Sequence, residues 1–513
     1  MTTRFRLTVA IVALFLLGVD FQLNAQLRLP SLFGDGMVMQ RNAEAAVWGW
    51  AEPGSTVLVS ASWGVKVEAV AGDEGKWSAF LPTGEAGGPY VLTVSSTTAA
   101  KAGNGNLRKR EARQSSGKVA EVQSIVINDV LVGEVWICAG QSNMAMPVRG
   151  YTSQPVENSL QTVLEAPKYA DRIHVFSVPR DSSSVARDDC RAEWLATTPE
   201  VTAKTSAIAY LFALRLTEAL DVPVGIIVSA YGGTKIEPWT PAEFLAPGLS
   251  GVISDKAIEK KYAVCNTGKR KPEQVGTIYN AMIRPLALYT AKGFLWYQGC
   301  SSRRDYNHYG AMQAAMVKGW RQAWGDSENE MPFQFVTIAP YSYNDSMDNS
   351  RAKLVENQLL SLNIIKNSYA VVSEDAGEEF SIHPPHKARI ADRLAWNALA
   401  KEYGFKGLPS GYPYCAKYEI NGDEVVLYME NARYGLCPSY GKPIKGFMVA
   451  GEDRRFHPAE AVIKDKPARV IVRSDKVASP AAVRYSFFNY CESNLCDVFG
   501  VPVPPFRTDD WEN

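Results

Sequence analysis

The chain has 513 residues, too many for one compact core, so its length implies about two to four domains. Apolar residues make up 46% and charged residues 21%, an ordinary globular balance. Lys+Arg and Asp+Glu both number 54; the zero formal net charge argues against a nucleic-acid binder and suits a neutral or weakly charged substrate.

The chain opens with MTTRFRLTVAIVALFLLGVDFQLNAQ. Arg4 and Arg6 precede an apolar run from Leu7 to Leu17, and Ala25 stands at a cleavage-like position. This layout predicts a secretory signal peptide over residues 1–25. The run is short for a membrane span, and no other stretch is long and apolar enough. The expectation is an exported chain, periplasmic or extracellular, without stable membrane insertion. Eight cysteines permit disulfides in such a compartment, with Cys491–Cys496 and Cys415–Cys437 as candidate bridges. No CxxC pair is present and the five histidines are scattered, so the pattern of a zinc site is missing.

Residues 26–128 read as short strands broken by turns, as in VWGWAEPGSTVLVSAS with its Pro53-Gly54, and predict a small β-sandwich. Within them, residues 98–119 are polar and mixed in charge, and predict an exposed loop or linker. Over residues 129–405 the runs VWICAG, VGIIVSA, GFLWYQG and YAVVSED alternate with helical patterns at 206–220 and 386–403. In the second helix Ile390, Leu394 and Ala398 recur at helical spacing. Strands alternating with helices predict a parallel α/β sheet. From 406 to 513 the pattern returns to β, as in DEVVLYME and ARVIVRSD.

Ligands of open α/β sheets bind outside the carboxyl ends of strands. Four segments put polar residues there: Gln141-Ser142-Asn143, Tyr231-Gly232-Gly233, Gln298 in WYQGCSS, and the loop from YAVVSED to SIHPPHK. Together they supply the parts of acyl transfer. Ser142 would attack a carbonyl, a neutral histidine would take its proton, and backbone N–H groups beside glycines would hold the oxyanion, with an amide side chain as a further donor. His383 is better placed as the base than His386, which begins a helix; Pro384-Pro385 stiffens the loop between them. Each piece alone is commonplace. A serine after a strand is usually a turn or cap residue, and Ser142 is not in a G-x-S-x-G elbow, because Met144 stands where the second glycine would be.

GEVWICAGQSNM, followed by YGGTKIEPW, WYQG and IHPPHK, resembles the sialate O-acetylesterases, which are SGNH-type (GDSL-like) hydrolases related to some acetylxylan esterases. LPSLFGDGMVMQRN near the start and PPFRTDDW at the end extend the resemblance over nearly the whole mature chain. It implies a flavodoxin-like three-layer α/β/α core flanked by N- and C-terminal β domains. It also implies hydrolysis of sugar O-acetyl esters without metal or cofactor. Carried over, Ser142 is the nucleophile and His383 the base. Gly232 or Gly233 is the oxyanion-hole glycine, Gln298 lies in the amide-bearing third block, and Asn143 follows the nucleophile. Two departures stand out. The family's QGESN is here Gln298-Gly299-Cys300-Ser301-Ser302, and the position three before His383 is Phe380 rather than Asp. The acid orienting His383 is therefore open among Asp375, Glu378 and Glu379, with Asp375 favoured, or a backbone carbonyl serves instead. Arg303 and Arg304 are candidates for a sialic acid carboxylate. Trp136, Trp239, Trp296 and Tyr297 lie beside the motifs, as site walls or as core. The expected partner is an acetylated sugar or glycan, first of all sialic acid. Acetylated xylan, or non-catalytic glycan binding on a decayed esterase scaffold, is the alternative.

Overall fold

The computed structural model describes residues 26–97, 122–263, 274–465 and 468–511. The expected signal peptide, the polar loop at 98–119 and Cys265 lie outside the described residues. No helix among the described residues is long and apolar enough to cross a membrane.

One strand organises the molecule. β1 (Val122–Gly140) pairs through its first half with the N-terminal strands Gly87–Thr97 and Val38–Gln40, and through its second half with the central sheet. The boundary expected at 128/129 thus falls inside a continuous strand. A two-stranded ribbon, Glu44–Trp50 with Lys76–Pro82, belongs to the same hydrophobic cluster as these N-terminal strands, through Val47, Trp77 and Leu81.

The central sheet adds β2 (Ile173–Ser177), β3 (Trp194–Ala196), β4 (Val224–Ala230), β5 (Gly293–Tyr297), β6 (Phe333–Val336) and β7 (Ser368–Val371). Its spatial order is β7-β6-β5-β1-β4-β2-β3, parallel throughout except for the antiparallel edge strand β3. Leaving out β2 and β3, the remaining five follow the 2-1-3-4-5 order of a flavodoxin-like sheet. Side chains alternate across the pleat. Val135, Ile137 and Ala139 join the cluster formed with the helices at Tyr309–Ala323 and Ser350–Leu360. Trp136 and Cys138 face the helices at Ala207–Leu220 and Lys387–Lys401 on the other side. β1 is where the chain order reverses, with β4 on one side and β5 on the other. The crevice beyond its carboxyl end is the place such a sheet offers a ligand.

After the last helix the chain returns to β structure with its own core of Val425, Leu427, Val470, Val472 and Tyr485. A buried ion pair ties this region to the sheet. Arg351 meets Glu374 at 2.8 and 3.0 Å and donates from Nε to the Phe488 carbonyl at 2.9 Å. The candidate bridges Cys491–Cys496 and Cys415–Cys437 are not formed. Cys496 instead lies opposite Cys437 on neighbouring antiparallel strands.

Candidate active site

β1 ends at Gly140 with φ 149°, where a Cβ would sit 2.3 Å from the Tyr297 carbonyl oxygen of β5. Only glycine allows the two strand ends to approach so closely. Gln141 uses this approach: its N–H donates to the Tyr297 carbonyl at 3.0 Å, and its buried Oε1 accepts from Gly299 N at 3.0 Å. Ser142 then opens α1 (Ser142–Ala145). In a first helical turn the backbone N–H groups have no partner within the helix. The loop after β4 runs alongside, and a Cβ added to Gly232 would lie 3.3 Å from the Ser142 Cβ.

His383 arrives on the loop before the Lys387–Lys401 helix. Its Nδ1 lies 2.8 Å from Gln154 Oε1. A carboxamide oxygen only accepts, so Nδ1 carries the hydrogen and Nε2 is left as the acceptor. The Tyr151 ring stands edge-on to the imidazole at 5.1 Å, and its hydroxyl donates to the Ser142 carbonyl at 3.1 Å. Asn143 Nδ2 donates to the Ile382 carbonyl at 3.0 Å. Nucleophile helix and histidine loop are therefore joined on two sides. Burial, with the nearby Lys387 ammonium adding to it, pushes the His383 pKa down to about 4. At neutral pH the imidazole is uncharged, with Nε2 open to accept a proton.

Lys387 lies beneath this pair, fully buried. Its Nζ donates to Asn143 Oδ1 at 2.6 Å and sits 5.9 Å from the Tyr297 ring centre. Among the described residues no carboxylate pairs with it, and burial pushes its pKa down to about 7. Burial also pushes the Cys300 thiol up, against the opposing pull of Tyr343, Lys387 and Asn143.

The family model for carbohydrate esterases described as sialic acid-specific acetylesterases matches residues 132–399, just over half of the chain. The chain belongs to that family. It is an esterase of the carbohydrate type. A carbohydrate acetylesterase from Xanthomonas citri is 32% identical in sequence, with 94% of this chain and 100% of that one covered at a TM-score of 0.78. The mouse sialate O-acetylesterase is 26% identical, with 97% of each chain covered. The human one is 25% identical, with 98% of this chain and 96% of that one covered.

Within this esterase the structure sets Gly232 against Ser142, links Ser142 to His383 through Tyr151, and redirects several other expectations. Asp375 does not orient His383. Its carboxylate is held by Arg393 at 2.7 and 2.8 Å and by Arg389 at 3.5 Å. Glu378 contacts His386, not His383. Gln298 is not an oxyanion donor, because both amide hydrogens are used: Nε2 donates to the Thr234 carbonyl at 3.0 Å and to Ser302 Oγ at 3.1 Å. It braces the Gly232-Gly233 loop from behind. Gly233, with φ 77°, shapes that turn. Asn143 does not face a substrate, since it is buried and spent on Ile382 and Lys387. Arg303 pairs with Asp348 at 2.8 Å and lies over the Tyr343 ring, whereas Arg304 is exposed. Trp136, Trp239, Trp296 and Tyr297 are buried in the two cores and wall no open site. The sequence reading missed Gln154, Tyr151 and Lys387. Only the lysine carried a signal, as a cation next to the IHPPH motif at the start of an apolar helix face.

Proposed function

We propose that the chain cleaves O-acetyl esters of sugars through an acetyl-Ser142 intermediate, with His383 as the base and Gln154 fixing its tautomer. His383 Nε2 takes the Ser142 Oγ proton as that oxygen adds to the acetyl carbonyl. The oxyanion lies against the backbone N–H groups of Ser142 and Gly232. His383 returns the proton to the departing sugar oxygen, leaving the acetyl group on Ser142. Water, deprotonated by His383, then releases acetate and restores the serine. The observation that carries this reading is the close approach of Gly232 to Ser142, with the Tyr151 bridge from Ser142 to the Gln154-oriented His383.

The first substrate reading is O-acetylated sialic acid, supported by the names of the mammalian relatives. A second reading, a neutral acetylated polysaccharide, is favoured by one observation: Arg303, one of the two cations expected to meet a sialic acid carboxylate, is already paired with Asp348.

Acetate release by the purified chain tests both. The panel is a 9-O-acetylated sialoside, acetylated xylan and an aryl acetate, each beside Ser142→Ala. Release lost in the variant supports the mechanism, and the polymer preferred selects the substrate. A folded Ser142→Ala that keeps most of the activity removes Ser142 from the mechanism.

A further inference from the structure

We infer that Cys437 and Cys496 form a disulfide that staples the C-terminal β region. The two residues face each other in the antiparallel pairing of Leu436–Pro438 with Leu495–Asp497. Directly opposed residues in such a pair have Cα atoms about 4.5–5.5 Å apart, inside the about 4.4–6.8 Å window of a disulfide. The sulfurs already stand 3.8 Å apart as thiols, so a side-chain rotation brings them to bonding distance. The other two cysteines of the candidate bridges are differently engaged. Cys491 Sγ lies 3.4 Å from Ser486 Oγ, and Cys415 Sγ lies 3.5 Å from the Lys417 carbonyl.

The position of the pair gives the bond a role. Asp497 begins the turn that ends at Val501, with Gly500 N donating to the Asp497 carbonyl at 2.9 Å. The Gly500 carbonyl accepts from Arg393 Nη2 at 2.9 Å, and the same guanidinium holds Asp375, at the start of the loop that carries His383. A covalent link at Cys496 therefore fixes one end of the chain of contacts that supports this loop. Cys437 is the more exposed of the two, and Cys496 is buried. Cys437 accordingly makes the first exchange. Its thiolate attacks the disulfide of an oxidant such as oxidised glutathione and expels one thiolate, giving a mixed disulfide. The Cys496 sulfur then displaces the second thiol. One S–S bond forms in the protein; its two electrons and two protons leave with the reduced oxidant. An oxidising compartment supports this reaction.

The test incubates the purified full chain with oxidised glutathione, then alkylates free thiols and maps peptides without reduction. The expected result is one cross-linked peptide pair containing Cys437 and Cys496, lighter by two hydrogens than the reduced pair. The oxidised chain should also melt several degrees higher than the reduced one. Cys437→Ser should remove both the cross-link and the difference in melting. Alkylation of both thiols after oxidation, or linkage of Cys496 to Cys491, overturns the inference. The peptide map on the unsubstituted chain decides this even where Cys437→Ser folds poorly, and no esterase assay enters it.

Discussion

His383 Nδ1 is hydrogen-bonded to Gln154 Oε1 at 2.8 Å, so a neutral carboxamide occupies the place where a serine hydrolase triad carries its carboxylate. An amide fixes the tautomer of the imidazole as an acid would, but it offers no charge to the imidazolium that forms during proton transfer. That is consistent with the depressed pKa of about 4 at His383.

Exchanging the amide for a carboxylate should therefore reset the acid limb of the reaction. In Gln154→Glu the added negative charge favours protonated His383, and the pH at which kcat/KM falls away moves upward from about 4. Gln154→Ala should leave the limb low and reduce kcat on the order of 10²-fold through loss of orientation. Rate profiles on an aryl acetate measure both. A Gln154→Glu limb that does not move would disconnect Gln154 from the base.

The same depressed pKa makes a statement about stability. His383 titrates near 6.5 when unfolded and near 4 when folded. Between these values the unfolded chain binds the proton and the folded chain does not. The contribution is thus complete above pH 6.5 and is lost as pH falls toward 4. Denaturant midpoints of the wild type and His383→Gln at about pH 7 and about pH 4.5 should show the larger drop in the wild type. Equal drops would mean that His383 is not the group responsible.

Lys387 follows the same charge logic with the same sign. Burial lowers its pKa from 10.5 to about 7, so the folded state gives up the proton that the unfolded chain keeps over that interval. Stability from this group is complete above 10.5 and falls away as pH drops toward 7. Lys387→Met removes the buried amine. Its melting temperature should equal or exceed that of the wild type near pH 7, and the wild type should gain on it as pH rises. Its kcat should still fall about tenfold, because Asn143 loses the partner that sets it against Ile382, and a displaced base is slow. Unchanged kcat in a folded variant would confine Lys387 to packing.

Asp375→Asn separates scaffold from chemistry. The carboxylate serves Arg393 and Arg389, not His383. Hydrolysis of an aryl acetate should stay within about twofold, while stability falls by about 1.5–3 kcal/mol as the charged hydrogen bonds weaken. A loss of kcat comparable to that of Ser142→Ala would return Asp375 to the triad.

Much of this was legible in one dimension. The strand at VWICAG and the helices at Ala207–Leu220 and Lys387–Lys401 follow from apolar periodicity, which records burial directly. Ser206 shows the cap where the pattern predicts a start, its Oγ accepting from Ala209 N at 3.2 Å. Ser142, Gly232 and His383 were visible in the segments that follow strand ends. Their partners were not. Gln154 sits in a loop with no period and no motif, and nothing in GYTSQPV distinguishes its amide from a solvated one. Asp375 had the right chemistry and a suggestive position, but two arginines one and two turns into the next helix claim it.

Periodicity, turn residues and the order of strands and helices set the sheet and its carboxyl-end crevice, because each is a local response of the backbone to where apolar side chains must go. The identity of the residue behind His383, the inward turn of Gln298 and Asn143, the pairing of Arg303 with Asp348 and the meeting of Cys437 with Cys496 were decided in three dimensions. Each depends on which distant side chains the packed loops bring within hydrogen-bond reach, and that distance is a property of the assembled layers rather than of any stretch of chain.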